Sequence, residues 1–163
     1  MDTNVQNVII MRGLPGSGKS TFVEQFQPPY KVCSADDYFT DVQGNYNFDP
    51  SKLTEAHAWC MKHFLLALES ELNIRDLVVD NTNCSRAEYT PYVQVARAFG
   101  VPKIQLIKIE PAPVDVLVQR NIHGVPKEAI KGMLSRWEEP APFDPEHHVI
   151  TQSTLKSMME EKV

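Results

Sequence analysis

This sequence predicts an α/β fold in which a parallel sheet of about five strands is flanked by helices on both faces. Three observations predict it. Short apolar runs alternate with helical patterns along the chain. The runs are continuous rather than alternating in polarity, as strands buried on both faces are. A glycine-rich turn, residues 13–18, joins the first run directly to the first helical pattern. The 163 residues are one domain's worth, and no internal repeat or linker divides them.

Val8-Ile9-Ile10-Met11 reads as the first buried strand, bounded by Gly13. A helix is expected over residues 19–27, where Pro28-Pro29 stops it. Residues 30–34 read as the second strand, and Gln43-Gly44-Asn45-Tyr46 is turn-like. Asp49-Pro50-Ser51 caps a long helix whose apolar positions Leu53, Ala56, Cys60, Phe64 and Leu68 recur every three or four residues. Residues 76–80 form the third strand. A helix over 85–99 starts with Ser85 and Glu88 and closes at Gly100. Residues 103–109 form the fourth strand, 113–121 and 126–137 two further helices, and 148–151 a short last strand. The folded domain is expected over residues 1–152, with 153–163 an acidic tail that could fray.

Composition narrows the function. With 42% hydrophobic and 23% charged residues, the chain is neither disordered nor collagen-like. No apolar run approaches the ~18 residues of a spanning helix, and the polar start Met1-Asp2-Thr3-Asn4 lacks a signal peptide's apolar stretch. Cys33, Cys60 and Cys84 lack metal-type spacing and leave one unpaired, so a reducing, cytoplasmic setting with free thiols is expected. Nothing calls for an obligate protein partner. The net charge of −5 argues against a general polyanion grip, but its distribution is uneven. Residues 1–85 carry −5, residues 86–136 carry +4 and residues 137–163 carry −4. The positive middle segment could face an anionic substrate or be a scatter of solvated side chains.

The decisive stretch is Gly13-Leu14-Pro15-Gly16-Ser17-Gly18-Lys19-Ser20-Thr21. It fits the phosphate-binding loop pattern of Gly, four residues, then Gly-Lys-Ser/Thr. Glycines let the backbone fold around an anion so that several N–H groups point inward. Lys19 is expected on the β/γ-phosphates and the Ser20 hydroxyl on Mg²⁺. The fold is therefore of P-loop NTPase type. No guanine-reading Asn-Lys-x-Asp stretch is present, which favours ATP.

Three more constellations carry chemistry. Ser34-Ala35-Asp36-Asp37-Tyr38 follows the second strand at the carboxyl end of the sheet, where open α/β folds place ligands. Asp36 could take a proton from an attacking hydroxyl, or cap a helix, or hold Mg²⁺ through water; Asp37 is an acceptor-side candidate. Asp80-Asn81-Thr82-Asn83 ends the third strand. Asp80 could orient Mg²⁺, and Asn81, Thr82 and Asn83 could meet the acceptor, or the stretch could be a turn that caps the next helix. Arg120 precedes a Gly/Pro-containing break, as a residue of a mobile lid would, and could spread its charge over the transferring phosphate. Arg136 is a second candidate for nucleotide contact, and Arg12 and Arg86 are weaker ones.

Together, residues 12–21, 34–39, 79–83 and Arg120-Asn121 resemble polynucleotide-kinase-like P-loop kinases, over about residues 7–137. Phe48-Asp49-Pro50, Ala56-His57 and Val125-Pro126 resemble eukaryotic and phage relatives. The resemblance implies that Lys19 and Ser20 handle ATP and Mg²⁺, that Asp36 is the general base, that Arg120 is a lid arginine and that Asn81-Thr82-Asn83 is an acceptor-side motif. Kinases of this family that act on 5′-hydroxyl ends carry an arginine where Phe39 stands. Phe39 could instead stack on a base, and some similar phage kinases phosphorylate a hydroxymethyl group on a modified pyrimidine in DNA. The expected function is thus an ATP- and Mg²⁺-dependent kinase acting on a hydroxyl of DNA or RNA. A small-molecule nucleoside or metabolite kinase and a non-catalytic ATP-binding module are the alternatives.

Overall fold

The computed structural model describes residues 2–161. Strands β1 (Asn7–Arg12), β2 (Tyr30–Cys33), β3 (Asp76–Asp80), β4 (Lys103–Ile109) and β5 (Glu146–Ile150) form one sheet. All pairings are parallel, in the order β2-β3-β1-β4-β5. The helices are α1 (Lys19–Val23), α2 (Leu53–Glu69), α3 (Arg86–Ala98), α4 (Val114–Arg120), α5 (Lys127–Ser135) and α6 (Gln152–Glu160). Among the described residues, no helix is long and apolar enough to cross a membrane.

The central strand shows why its sequence is a continuous apolar run. Successive side chains of a strand point to opposite faces. Val8 and Ile10 enter a core with Ala56, Cys60, Phe64 and Leu68 of α2 and Tyr89, Val93 and Ala96 of α3. Ile9 and Met11 enter a second core with Phe22 and Val23 of α1 and Leu155 of α6. A third cluster, Leu14, Cys84, Leu117 and Ile130, ties α4 and α5 to the carboxyl end of the sheet. The register aligns Met11 with Asp80 and Cys33 with Val79, so the segments after β1, β2 and β3 leave the sheet at one edge.

A buried cation fastens that edge. Arg12 is 1% exposed and lies between the rings of Tyr89 and Trp137, 4.7 and 4.4 Å from their centroids. Its Nε donates to the Asn83 carbonyl at 2.8 Å, and Nη2 donates to those of Cys84 and Glu138 at 2.9 and 2.7 Å. Arg12 is thus a structural fastener.

Three sequence expectations are corrected. The first helix ends at Val23, and isolated turns carry the chain on to Phe26. The expected tail is not a frayed end: α6 begins at Gln152, Thr151 caps it, and Leu155 is buried. Leu155 and Met158 lie three apart and share the helix face that covers β1 and α1, so burial decides against fraying. The boundary drawn at 152/153 falls inside this helix. Residues 162–163 of the expected tail lie outside the described residues, as does Met1. β5 starts at Glu146, two residues earlier than its apolar pattern indicates, because this edge strand is mostly exposed and carries Glu and His.

Candidate active site

The phosphate loop is held from three sides. The Gly13 amide donates to the Thr82 carbonyl at 3.0 Å, which joins the loop to the segment after β3. Gly16 and Gly18 have φ of +79° and +104°, a region that L side chains avoid. A Cβ on Gly16 would collide with the Leu117 carbonyl oxygen, and one on Gly18 with the Leu155 side chain. Gln152 of α6 donates from Nε2 to the carbonyls of Ser17 at 2.9 Å and Glu110 at 2.6 Å. The loop is therefore seated against α4 on one side and α6 on the other. Pro15 and Thr21 are half-buried within it.

The polar atoms of the loop face inward without enough protein partners. Ser17 Oγ is buried and has no hydrogen bond. Ser20 Oγ donates to Asp80 Oδ2 at 3.2 Å, while Asp80 Oδ1 is buried and unpartnered. Buried polar groups are normally satisfied, so these orphans mark a place for a ligand. Burial pushes the Asp80 carboxyl up, against the opposing pull of Lys19 and the Ser20 hydroxyl. Burial also pushes the Lys19 ammonium down, against Asp80, Asp36 and Cys84, which favour its charge. An anion beside Lys19 and a hard cation beside Asp80 would relieve both. Two oxygens, from Ser20 and Asp80, fit the few protein ligands that Mg²⁺ takes when phosphates supply others. Among the described residues, no group of three or more His, Cys, Asp or Glu could hold a metal alone.

Asp36 stands at the start of a 3-10 turn, Ala35–Phe39, whose cap Ser34 accepts from the Asp36 amide at 3.2 Å. Its carboxylate is half-exposed and held at both oxygens. Tyr46 donates to Oδ1 at 3.2 Å, and His123 Nε2 lies 3.5 Å from Oδ2. Burial, and then the Asp36 charge, push the Tyr46 hydroxyl well above its ordinary range, so it remains a donor. Asp37 is exposed beside it, its carboxyl raised by partial burial and by Asp36 and Asp80. Asn121 places His123. Its side chain accepts from Val125 N at 2.8 Å and donates to the carbonyls of Val118 and Val125, closing the turn between α4 and α5.

Several expected acceptor-side residues face elsewhere. Phe39 is 6% exposed, with its ring against Tyr38, Tyr46 and Phe48, so it has no open face for a base. Asn81 is 9% exposed and accepts from the Ala35 amide at 2.9 Å, which shapes the turn carrying Asp36. Asn83 is 2% exposed, has φ of +46° and donates to the Met11 carbonyl at 2.8 Å. Thr82 is half-buried and hydrogen-bonds the Cys84 thiol. Asn81 and Asn83 are thus scaffold, because buried backbone groups of other segments claim their amides. Arg120 is exposed at the end of α4 and donates from Nη1 to Gln152 Oε1 at 3.1 Å, so Gln152 links it to the loop. Arg136 caps the end of α5, also exposed, with its charge felt at Cys84.

Tyr46, His123 and Gln152 complete the arrangement, and sequence reasoning had not brought them to the site. Tyr46 lies in an expected turn, His123 in the break that follows Arg120, and Gln152 is the last residue of the expected domain. Their site partners are 10, 87 and 135 positions away, too far for any local pattern to register.

The fold and loop together define a P-loop α/β protein of the nucleotide-binding, kinase-like kind. The AAA_33 family of AAA domains matches residues 8–140, and the chain belongs to it. Human NEDD4-binding protein 2 is 36% identical over 140 residues, which are 80% of this chain and 8% of that protein. The chain thus spans a small part of that relative's length. A chain of the Pnkp1/Rnl/Hen1 RNA repair complex aligns with a TM-score of 0.61 at 22% identity, covering 83% of this chain and 44% of that one. A gluconokinase from Sinorhizobium meliloti 1021 aligns with a TM-score of 0.58 at 15% identity, covering 96% and 95%. These two structural likenesses establish the fold.

Proposed function

We propose that the protein is an ATP- and Mg²⁺-dependent kinase that transfers the γ-phosphoryl group to a hydroxyl of a nucleic acid. One observation carries the reading: the Asp36 carboxylate is held at the phosphate loop by Tyr46 and His123, within electrostatic reach of Lys19. A switch that only binds nucleotide has no use for a positioned, half-exposed carboxylate there. The acceptor hydroxyl gives its proton to Asp36 as its oxygen bonds the γ-phosphorus and the bond to the β–γ bridging oxygen breaks, releasing ADP. The loop amides and Lys19 hold the phosphates, and Arg120 spreads charge over the transferring group once it leaves Gln152. Ser20 and Asp80 would hold Mg²⁺, which would supply neutralisation of phosphate charge. The acceptor is a 5′-hydroxyl end or a hydroxymethyl group of a modified pyrimidine in DNA.

A second reading, a kinase of a small nucleoside or metabolite, draws on the net charge of −5, which is unfavourable for broad contact with a polyanion. The test offers γ-labelled ATP and Mg²⁺ with a 5′-hydroxyl oligonucleotide, with DNA containing hydroxymethylated pyrimidine, and with small sugars and nucleosides. Label on either nucleic acid, lost in Asp36→Asn, supports the first reading. Label only on a small alcohol replaces it by the second. Tight ATP binding without transfer to any of them refutes both.

A further inference from the structure

The segment between the proposed base and α2 is a preformed hairpin. Thr40 and Tyr46 pair as an antiparallel bridge, and the Asn47 amide donates to the Phe39 carbonyl at 2.8 Å. Asp41 accepts at Oδ1 from the amides of Gln43 and Asn45, both at 2.9 Å, and at Oδ2 from Asn45 Nδ2 at 3.0 Å. Gly44, at φ of +87°, closes the turn. These bonds fix the strand that carries Tyr46 towards Phe48, so the two rings are set before any ligand arrives.

The rings are nearly parallel, 7° apart with centroids 6.3 Å apart, and both stand edge-on against buried Phe39 at 6.2 and 5.1 Å. Phe48 is 48% exposed, while the hydroxyl of Tyr46 is on Asp36. His123 packs on the Tyr46 ring, with centroids 4.3 Å apart, so Tyr46 backs an aromatic surface whose open ring is Phe48. Such rings, supported from behind and open in front, are what nucleobases stack on, whatever their sequence.

We propose that Tyr46 and Phe48 form the platform on which the nucleobase next to the reacting hydroxyl stacks, so that the acceptor is a base-bearing molecule and Phe48 sets its affinity. This rests on the kinase reading above and deepens it. The ring takes the place that sequence reasoning had given to Phe39, and the role passes to Phe48 because Phe39 is consumed in supporting it.

The experiment measures steady-state phosphorylation of a 5′-hydroxyl oligodeoxynucleotide whose terminal nucleotide either carries a base or is abasic, by wild type, Phe48→Ala and Phe48→Trp. Phe48 is exposed, so its truncation leaves the core intact. Phe48→Ala is expected to raise the acceptor KM about 10-fold with the ATP KM unchanged, and Phe48→Trp to restore it. Removing the terminal base is expected to raise the wild-type KM by a similar factor and to add little in Phe48→Ala. Transfer by Phe48→Ala with an unchanged acceptor KM, an effect on the ATP KM instead, or equal sensitivity of both proteins to the abasic end overturns the platform alone. Absence of transfer by wild type to this oligonucleotide and to hydroxymethylated DNA overturns the nucleic-acid reading on which it rests.

Discussion

Arg12 offers the sharpest test of how the site edge is held. Replacing it with Met keeps much of its apolar length and removes the guanidinium. Three carbonyls, those of Asn83, Cys84 and Glu138, then lose donors at 2.8, 2.9 and 2.7 Å, and two aromatic rings lose their cation. A hydrogen bond to a charged group contributes about 1.5–3 kcal/mol. The three do not add, because removing the charge also removes its desolvation cost, so the expected loss is about 3–5 kcal/mol. Urea unfolding at equilibrium measures it, and Arg12→Lys should lose nearly as much, since an ammonium cannot reproduce the fork that spans three acceptors. A loss under about 1 kcal/mol for Arg12→Met would refute the argument that this cation fastens the segments after β3 and α5 to β1.

Gly18→Ala should lower stability by about 1–3 kcal/mol through its backbone angle, and more through the Cβ that meets Leu155, with a fall in Tm of about 2–4 °C per kcal/mol. Calorimetry reads it, and an unchanged Tm would mean that α6 is not seated on the loop. For Asp41, the Asn45 amide, and then the Asn45 and Gln43 bonds, hold the carboxyl below its ordinary range. Its stabilisation is therefore present above the unfolded carboxylate value and is lost as pH falls through the lower folded one. As pH falls below the ordinary carboxylate range, about pH 4, the wild type should lose its advantage over Asp41→Ala, whereas a constant gap in melting temperature would oppose this sign.

The strands were legible because each is an uninterrupted apolar run, and the parallel pairing followed from their alternation with helices. The helix α3 was legible from Ser85 and Glu88, whose 2.7 Å bond forms as the spacing indicates. α6 was not. Its sequence is mostly polar, and one buried leucine over the phosphate loop outweighs local composition. The phosphate loop was legible because its chemistry is contiguous. Asn81 and Asn83 misled because a polar turn near a loop offers amides to a ligand and to the backbone alike. Their actual partners, Ala35 and Met11, are 46 and 72 positions away. Phe39 misled for a related reason: a resemblance places a residue near the site but does not say which of three neighbouring aromatics, Phe39, Tyr46 or Phe48, turns inward.

Ser17 and Gln152, joined by one hydrogen bond, are separated by 135 positions. The ribosome makes the glycine-rich turn straight after β1, yet its seat in α6 arrives only after β5. During synthesis the turn must wait, unsupported, while the whole sheet assembles behind it. Occupancy by a nucleotide would then report that α6 has docked, and a chain cut short before residue 152 would keep the motif and lose its seat.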